Sequence, residues 1–135
     1  RKAMSDTSSL KVLSDFFEAF NRNDLEAASA FVADDIVYVI RGETSLGRVY
    51  RGPKEFAWVL AEIKRRTGGT MSVVPEVVLA DDRNIMMYLH ARGQRPDGRT
   101  YDNYQAYLYR LRDGKLAEGQ TIPVDQRAFA KFFDD

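Results

Sequence analysis

His90 is the single histidine of the chain, and it lies in the stretch NIMMYLHARG, residues 84–93. An imidazole can accept or donate a proton near neutral pH, so His90 is a candidate acid or base. Asn103, Gln105 and Tyr107 alternate along the next strand-like run, and their amides and hydroxyl could donate hydrogen bonds to a developing oxyanion. Two other interpretations of His90 stay open, pocket lining without chemistry and a structural role in the sheet.

Thiol and ordinary zinc centres are excluded by the composition, so a metal site would have to consist of carboxylates alone. The chain has no cysteine, which removes thiol catalysis and disulfides, and one histidine cannot form the usual zinc sites. The acidic pairs Asp34-Asp35, Asp81-Asp82 and Asp134-Asp135 lie at the ends of predicted elements, where turn and cap roles are typical. We therefore expect neither a metal nor another cofactor.

The charge balance bears on possible partners. The chain has 20 basic and 20 acidic residues, which argues against a nucleic acid or an anionic membrane as partner. The basic run Lys64-Arg65-Arg66 ends a predicted helix, where cations complement the helix dipole. No apolar run approaches the roughly 20 residues that cross a bilayer, and no signal-peptide pattern is present. A soluble, cytoplasmic protein is expected.

Helical patterns dominate the first half of the chain. Apolar residues recur at helical spacing from Leu10 to Phe20, and Asp24 is placed to cap a short helix over Leu25–Val32. The β-branched run Ile36–Ile40 predicts a strand, and Pro53 suits the first turn of a third helix that ends at Gly68-Gly69. Residues 1–8 are expected to be a disordered N-terminus.

Strand patterns dominate the second half. Turn sequences separate four strand-like runs, which predicts an antiparallel meander over Met71–Ala80, Ile85–Gly93, Thr100–Leu111 and Lys115–Ile122. Pro75 predicts a bulge or an edge position in the first run, and Asp125 is expected to cap a last helix. The pattern predicts one α+β domain over residues 1–135, in which a strongly curved antiparallel sheet wraps around N-terminal helices. The mouth of such a cone favours a small apolar molecule as ligand.

Several stretches carry a family resemblance, namely FFEAFNRNDLEAASAFVADDIVYV, YRGPKEF, YDNYQAYLYRLRDGKLAE and PVDQRAFAKFF. The sequence resembles the SnoaL-like domains of the NTF2-like superfamily, which are related to polyketide cyclases. The resemblance implies an α+β cone with an inward apolar pocket and frequent homodimers. It also implies a range of functions, from cyclases, ketosteroid isomerases, epoxide hydrolases and dehydratases to members without catalysis.

Residue-by-residue comparison with ketosteroid isomerases fails. Their carboxylate base, tyrosine and protonated aspartate correspond here to Ile40, Phe16 and Tyr107, so the proton-shuttling carboxylate is absent. Limonene-epoxide-hydrolase-like members carry an Arg-x-Asp pair and a further aspartate. In this sequence Tyr88-x-His90 corresponds to the pair and Thr121 to the further aspartate. The polyketide cyclases suggest a histidine with an aspartate; His90 could serve as the first, but Asp125, the nearest acid, is interpreted as a helix cap.

The direction of His90 depends on strand register. Alternation puts Tyr88, His90 and Arg92 on one face and Met87 and Leu89 on the other. The comparison with the hydrolases favours His90 facing the pocket, opposite Tyr104 or beside Gln105. Aromatic and polar residues on the surrounding elements are the expected substrate contacts: Phe16, Phe20, Tyr38, Trp58, Tyr88, Asn103, Gln105, Tyr107 and Gln120.

Two functions follow from these patterns. The first is a cofactor-independent cyclase or isomerase that transfers a proton on an apolar cyclic carbonyl substrate, with His90 as acid or base. The second is a ligand-binding or dimerisation module that kept the cone and lost the carboxylates. An inward His90 beside Asn103 and Gln105 would favour the first.

Overall fold

The structure is a computed structural model that describes residues 3–134, with side chains from Ser9 onward. In that part of the chain the elements follow the order α1 (Ala3–Asn21), α2 (Leu25–Ser29), β1 (Val32–Ile40), β2 (Val49–Arg51), α3 (Gly52–Arg66), β3 (Ser72–Ala80), β4 (Asn84–Gln94), β5 (Thr100–Arg112), β6 (Lys115–Pro123) and α4 (Gln126–Phe133). The expectation of disorder for residues 1–8 lies partly outside the described residues, and α1 begins within that segment.

The six strands form one curved, open sheet in the order β2-β1-β6-β5-β4-β3. Strands β3 to β6 make the predicted antiparallel meander, whereas β1 joins β6 in parallel. The predicted α+β fold class is therefore confirmed, with one parallel pair in the sheet. Strand β2 was not predicted, because three residues are too few to show a periodicity of two.

Two local predictions can be compared directly with the structure. The helix predicted to reach Val32 ends at Ser29, because the carbonyl of Phe31 accepts a hydrogen bond from the amide of Leu116 and Val32 already pairs with β6. The bulge and edge position predicted from Pro75 are confirmed, since the register shifts between Pro75 and Val77 in the edge strand β3.

The sheet has an inner face that packs on α1, α3 and α4 and an outer face away from them. Burial alternates along the strands, so that Met87, Leu89 and Ala91 are buried on the inner face of β4 while the residues between them are more exposed. We call the space between the inner face and the helices the cone interior. Its helical wall carries the apolar stripe of α1, which includes Leu13, Phe16, Phe17 and Phe20.

Helix α4 closes one end of the cone interior. Phe129, Phe132 and Phe133 are buried, and each such side chain contributes about 1.5–3 kcal/mol by leaving water. The carbonyl groups at its C-terminus accept hydrogen bonds from guanidinium groups, at 3.1 Å from Arg66 to Phe133 and 2.9 Å from Arg95 to Phe133. These cations complement the negative end of the helix dipole and hold α4 against the sheet. Among the described helices, none is long and apolar enough to cross a membrane.

Candidate functional site

A chain of hydrogen-bonded side chains runs along the inner face of β5. The hydroxyl of Tyr101 donates to Oε1 of Gln105 at 2.6 Å, and Nδ2 of Asn103 donates to the hydroxyl of Tyr101 at 3.0 Å. Nε2 of Gln105 donates to the hydroxyl of Tyr107 at 2.9 Å. Alternation along one strand therefore aligns four polar side chains inside an otherwise apolar space.

The chain continues onto the two neighbouring strands through Thr121. Its hydroxyl on β6 interacts with the hydroxyl of Tyr107 and is hydrogen bonded to the hydroxyl of Tyr38 on β1. Because Tyr107 accepts from Gln105, its own proton is free to be donated to Thr121 or to a ligand oxygen.

Burial keeps these phenols neutral. Removal from water raises the pKa of Tyr107 to about 12, against a hydrogen bond from Gln105 and one with Thr121 that lower it. The pKa values of Tyr38, Tyr101 and Tyr109 are also raised, mainly by burial. At neutral pH these groups are hydrogen-bond donors and acceptors, and they are not anions that could take up a proton.

Two small cavities lie in the cone interior beside these groups, each of about 30 Å³. Each has room for about one water molecule. The cavities adjoin each other, because five residues line both: Phe20, Tyr38, Ile63, Val73 and Tyr107. Gln105 and Thr121 line the second cavity as well, so its wall combines apolar rings with three kinds of hydrogen-bonding group.

A groove of about 410 Å³ runs outside the cavities, between α1 and β3. Phe17 and Val73 line both this groove and the first cavity. The ring of Phe17 contacts the rings of Tyr107 and Tyr109, with centroids 5.8 and 6.3 Å apart. Phe17 therefore stands between a surface groove and the polar chain.

A buried amine lies close to the cavities. Lys64, in the last turn of α3, has its ammonium 4.1 Å from the centroid of the Phe20 ring and donates a hydrogen bond to the carbonyl of Met71. Burial lowers the pKa of Lys64 to about 8. The run Lys64-Arg65-Arg66 ends α3 as predicted, although its first member is buried.

His90 lies on the outer face of the sheet. It pairs with Tyr104 in the register of β4 and β5, while its neighbours Leu89 and Ala91 are fully buried on the inner face. The expectation that His90 faces the pocket is therefore wrong, because the apolar alternative set fills the cone interior instead. The catalytic role of His90 stays a prediction, and the residue does not line the cavities of the cone interior.

Both ring nitrogens of His90 face carboxylates. Nε2 is 2.5 Å from Oδ1 of Asp102, and Nδ1 is 3.7 Å from Oε2 of Glu76. The ring of Tyr104 stacks on the imidazole at a centroid distance of 4.6 Å and on the ring of Tyr88 at 4.8 Å. Nε of Arg92 lies 3.3 Å from Nε2 of the imidazole. The imidazole is held by its neighbours and presents neither nitrogen to a cavity.

The other predicted contact residues divide into two groups. Phe16, Phe20, Tyr38, Gln105 and Tyr107 line the two cavities, and their contact with a substrate stays a prediction. Asn103 is buried in the same hydrogen-bonded chain, where it also donates to the carbonyl of Asp125 at 3.1 Å. Asp125 caps α4 by accepting from the amide of Ala128, as predicted.

Three predicted contacts lie away from the cone interior. Trp58 is exposed on α3 and stacks on Tyr50, because Phe56, Val59 and Leu60 form the buried stripe of that helix. Tyr88 lies on the outer face with His90. Gln120 also lies there and accepts from Nε of Arg41 at 2.9 Å, since Gly119 and Thr121 occupy the inner positions of β6.

Sequence reasoning did not identify Tyr101, Thr121 or Phe17 as residues of this site. The alternation of Tyr101 with Asn103 and Gln105 is visible in the sequence and could have placed that hydroxyl on the same face. The contribution of Thr121 depends on the pairing Tyr107↔Thr121, and that of Phe17 on the placement of α1 against β3. No local pattern gives either of these.

Comparison with known proteins gives one matching family and several relatives. The family of SnoaL-like domains matches residues 13–119. The uncharacterized protein Rv0034 of Mycobacterium tuberculosis (strain ATCC 25618 / H37Rv) is 27% identical over 131 residues, 96% of this chain and 99% of that protein. Bal32a, from a soil-derived mobile gene cassette, is 17% identical with a TM-score of 0.89, over 96% of this chain and 98% of that one. TerC, co-crystallized with polyporic acid, is 19% identical with a TM-score of 0.83, over 93% of this chain and 98% of that one.

Proposed function

The chain belongs to the family of SnoaL-like domains, and from that premise we propose that it binds a small, largely apolar molecule bearing a carbonyl or hydroxyl oxygen, without converting it. One observation carries the proposal. The hydrogen-bonded groups of Tyr107, Gln105 and Thr121 line an apolar cavity. The described residues that line the two cavities include no histidine, aspartate or glutamate.

A ligand oxygen is favoured because an apolar ligand that disturbs the hydrogen-bonded chain would leave one of its groups without a partner, whereas an oxygen can replace the lost partner. A buried polar group without a partner costs about 1–3 kcal/mol, whereas a hydrogen bond contributes roughly 0.5–1.5 kcal/mol. The phenol of Tyr107 can turn its proton from Thr121 to a ligand oxygen while still accepting from Gln105. Aromatic rings from α1 and α3 would cover the apolar part of the ligand, chiefly Phe16, Phe20 and Phe56.

The ligand enters, in this proposal, from the groove between α1 and β3. The cavities hold little more than water, so a side chain must move before an organic molecule can bind. Phe17 and Val73 both line the groove and the first cavity, and Phe17 is that side chain because its ring also contacts the ring of Tyr107. The groove of about 410 Å³ joined to the cavities has the size of an ordinary small-molecule site, which is roughly 300–1,000 Å³.

Binding is favoured over proton-transfer catalysis. A cyclase or isomerase of the kind suggested by the sequence needs a group that accepts a proton close to the substrate. His90 lies on the opposite face of the sheet, and the raised pKa of Tyr107 disfavours a phenolate. The polar chain can therefore orient an oxygen atom but has no evident base. TerC shows that a protein of this fold has been crystallized with polyporic acid, which is compatible with a cyclic ligand.

Titration with a matched pair of ligands, naphthol and naphthalene, tests the proposal. Calorimetry should show tighter binding of naphthol, because only naphthol can use the donors. Replacement Tyr107→Phe should weaken naphthol binding by roughly 3- to 10-fold and leave naphthalene binding unchanged, as expected for one hydrogen bond.

Two outer-face variants are the controls, Tyr104→Phe and His90→Gln. Both should bind the two ligands like the wild type, since neither residue lines a cavity. The proposal fails if His90→Gln weakens naphthol binding as much as Tyr107→Phe does. It also fails if the wild type does not discriminate between the two ligands.

A further inference from the structure

The direction of the Asn103 amide is fixed by backbone groups at the start of α4. Its Nδ2 donates to the carbonyl of Asp125 at 3.1 Å, and its Oδ1 accepts from the amide of Asp125 at 3.4 Å. Exchanging the oxygen and the nitrogen of the side chain would oppose donor to donor and acceptor to acceptor. Asn103 is buried and lines neither cavity, so the fold sets its orientation and a ligand does not.

This amide determines the direction of the hydrogen bonds that follow along β5. The hydroxyl of Tyr101 accepts from Nδ2 of Asn103 at 3.0 Å, so its own proton goes to Oε1 of Gln105 at 2.6 Å. Because the oxygen of Gln105 is occupied in this way, its Nε2 is turned to the hydroxyl of Tyr107 and donates at 2.9 Å. Donation therefore runs in one direction, from the start of α4 toward the cavities.

The hydroxyl groups at the cavity end carry more protons than they can pass to one another. Tyr107, Thr121 and Tyr38 each have a hydroxyl proton, and only two links join their oxygens, Tyr107 to Thr121 and Thr121 to Tyr38. Each link uses one proton whichever group donates, so one proton is left over. Tyr107 cannot pass its proton back to Gln105, whose Nε2 already donates to it. Within residues 9–134 no further side chain is hydrogen bonded to these three hydroxyls.

Tyr109 adds another proton at the same place. Its side chain is buried and lines the first cavity, and its ring lies beside that of Tyr107, with centroids 5.5 Å apart. The Tyr109 hydroxyl makes no hydrogen bond to any side chain or backbone group that the structure describes. A buried donor without a partner is unfavourable, so the cavity is short of acceptors and not of donors.

We infer that Asn103 and Tyr101 determine the specificity of the proposed ligand site, by fixing the direction of donation so that a ketone is selected over the corresponding alcohol. The inference rests on the proposed function and narrows its ligand class. A carbonyl adds an acceptor and no proton, which reduces the surplus, whereas a hydroxyl adds one of each and leaves the surplus unchanged. Neither residue lines a cavity, so both are positioning residues that act through Gln105 and Tyr107.

Calorimetry with 1-tetralone and 1-tetralol tests the inference, because the two molecules share one skeleton and differ in the oxygen group. The wild type should bind the ketone about 3- to 10-fold more tightly, as expected for one hydrogen bond. Tyr101→Phe removes the proton that holds Gln105, so the amide can turn its oxygen to Tyr107, and the preference for the ketone should disappear. The matched control is Tyr104→Phe, the same change on the outer face of the same strand, which should keep the wild-type ratio of affinities.

A second variant reverses the direction of donation with little change of shape. The ionised carboxylate of Asn103→Asp cannot donate to Tyr101, which donates to it instead, and each following group turns in the same way. Gln105 then accepts from Tyr107, whose oxygen is left to accept from a ligand, so the alcohol should bind at least as tightly as the ketone. The ratio of the two affinities is the measured quantity, because a loss of packing alone weakens both ligands alike.

The possible outcomes separate this inference from the proposed function. Equal affinity of the wild type for the ketone and the alcohol would overturn the inference and leave the proposed binding site in place. A wild-type ratio in Tyr101→Phe or in Asn103→Asp, with the fold verified by circular dichroism, would overturn it as well. If neither naphthol nor the two tetralin derivatives bind to the wild type, the proposed function fails and the inference fails with it.

Discussion

The ring of Phe17 stands edge-on to the ring of Tyr107, with centroids 5.8 Å apart, at the boundary between the α1–β3 groove and the cone interior. Phe17 is itself buried, so it contributes to the core and blocks the phenol at the same time. In the proposed function, this one aromatic side chain contributes both to stability and to the control of ligand access. A shorter side chain at position 17 should change both, and a matched change elsewhere in the core separates the two effects.

Replacement Phe17→Ala should speed ligand binding and reduce stability. Loss of the ring opens a path from the groove to Tyr107, and the free energy of unfolding should fall by about 3–5 kcal/mol, as for other buried Phe→Ala changes. Stopped-flow fluorescence with naphthol measures the association rate, and urea denaturation measures the stability.

Phe132→Ala is the matched control, since Phe132 is as deeply buried but lines neither cavity nor groove. It should cost similar stability and leave the association rate unchanged. An association rate that is unchanged or slower in Phe17→Ala would show that the ligand takes another path.

The sequence predicted most elements because their patterns are local. The alternation of Asn103, Gln105 and Tyr107 placed three polar groups on one face, and the structure puts that face inside. Pro75 marked a bulged edge strand, and Asp24 and Asp125 marked helix starts, because each acts through its own backbone neighbours.

The direction of β4 was the main error, and the sequence contained the information to avoid it. The two faces carry Met87, Leu89 and Ala91 on one side and Tyr88, His90 and Arg92 on the other. Burying the first set removes more apolar surface from water and leaves no charge inside, which favours it as the inner set. The cavities and Phe17, in contrast, depend on how α1 docks on the sheet, which no local pattern specifies.

Asn21 should stabilise the contact between α1 and the edge of β3. Its Nδ2 donates to the carbonyl of Val73 at 2.8 Å, and its Oδ1 accepts from the amide of Val73 at 2.9 Å, as a neighbouring strand would. Replacement Asn21→Ala removes both bonds and should lower the free energy of unfolding by about 1–3 kcal/mol. Urea denaturation measures this loss, and hydrogen exchange should show faster exchange at the amide of Val73.

The pH dependence of Asn21→Asp distinguishes the hydrogen bonds from simple packing. Its ionised carboxylate accepts from the amide but opposes the carbonyl, whereas its protonated form can donate to that carbonyl. The opposed carbonyl raises the pKa of the introduced carboxyl in the folded chain, so the loss of stability relative to wild type should shrink as the pH falls toward about 4, the ordinary pKa of aspartate, and stay constant below it. A deficit that stays constant with pH would contradict the paired geometry.

Lys64 should make stability rise with pH on the alkaline side of neutrality. Burial lowers its pKa from 10.5 to about 8, so between these values the unfolded chain binds more protons than the folded one. Stability then increases with pH by at most about 1.4 kcal/mol per pH unit, the slope for one proton. Replacement Lys64→Met removes this proton and should flatten the dependence. Urea denaturation from neutral pH to about pH 10 measures it.

The buried tyrosines oppose the effect of Lys64 at high pH. The effect of Lys64 is therefore measured as the difference between the stability curves of the wild type and Lys64→Met. The raised pKa of Tyr107 means that above its ordinary value of 10.0 the unfolded chain loses protons first, which lowers stability as the pH rises. Subtracting the Lys64→Met curve from the wild-type curve cancels this opposing effect. The control is Lys54→Met, which removes an exposed ammonium from the same helix and leaves Lys64 in place. The expectation fails if the stability curve of Lys64→Met runs parallel to that of the wild type. In that case the Lys64 amine keeps its ordinary affinity for a proton, because its contacts with the Phe20 ring and the Met71 carbonyl offset its burial.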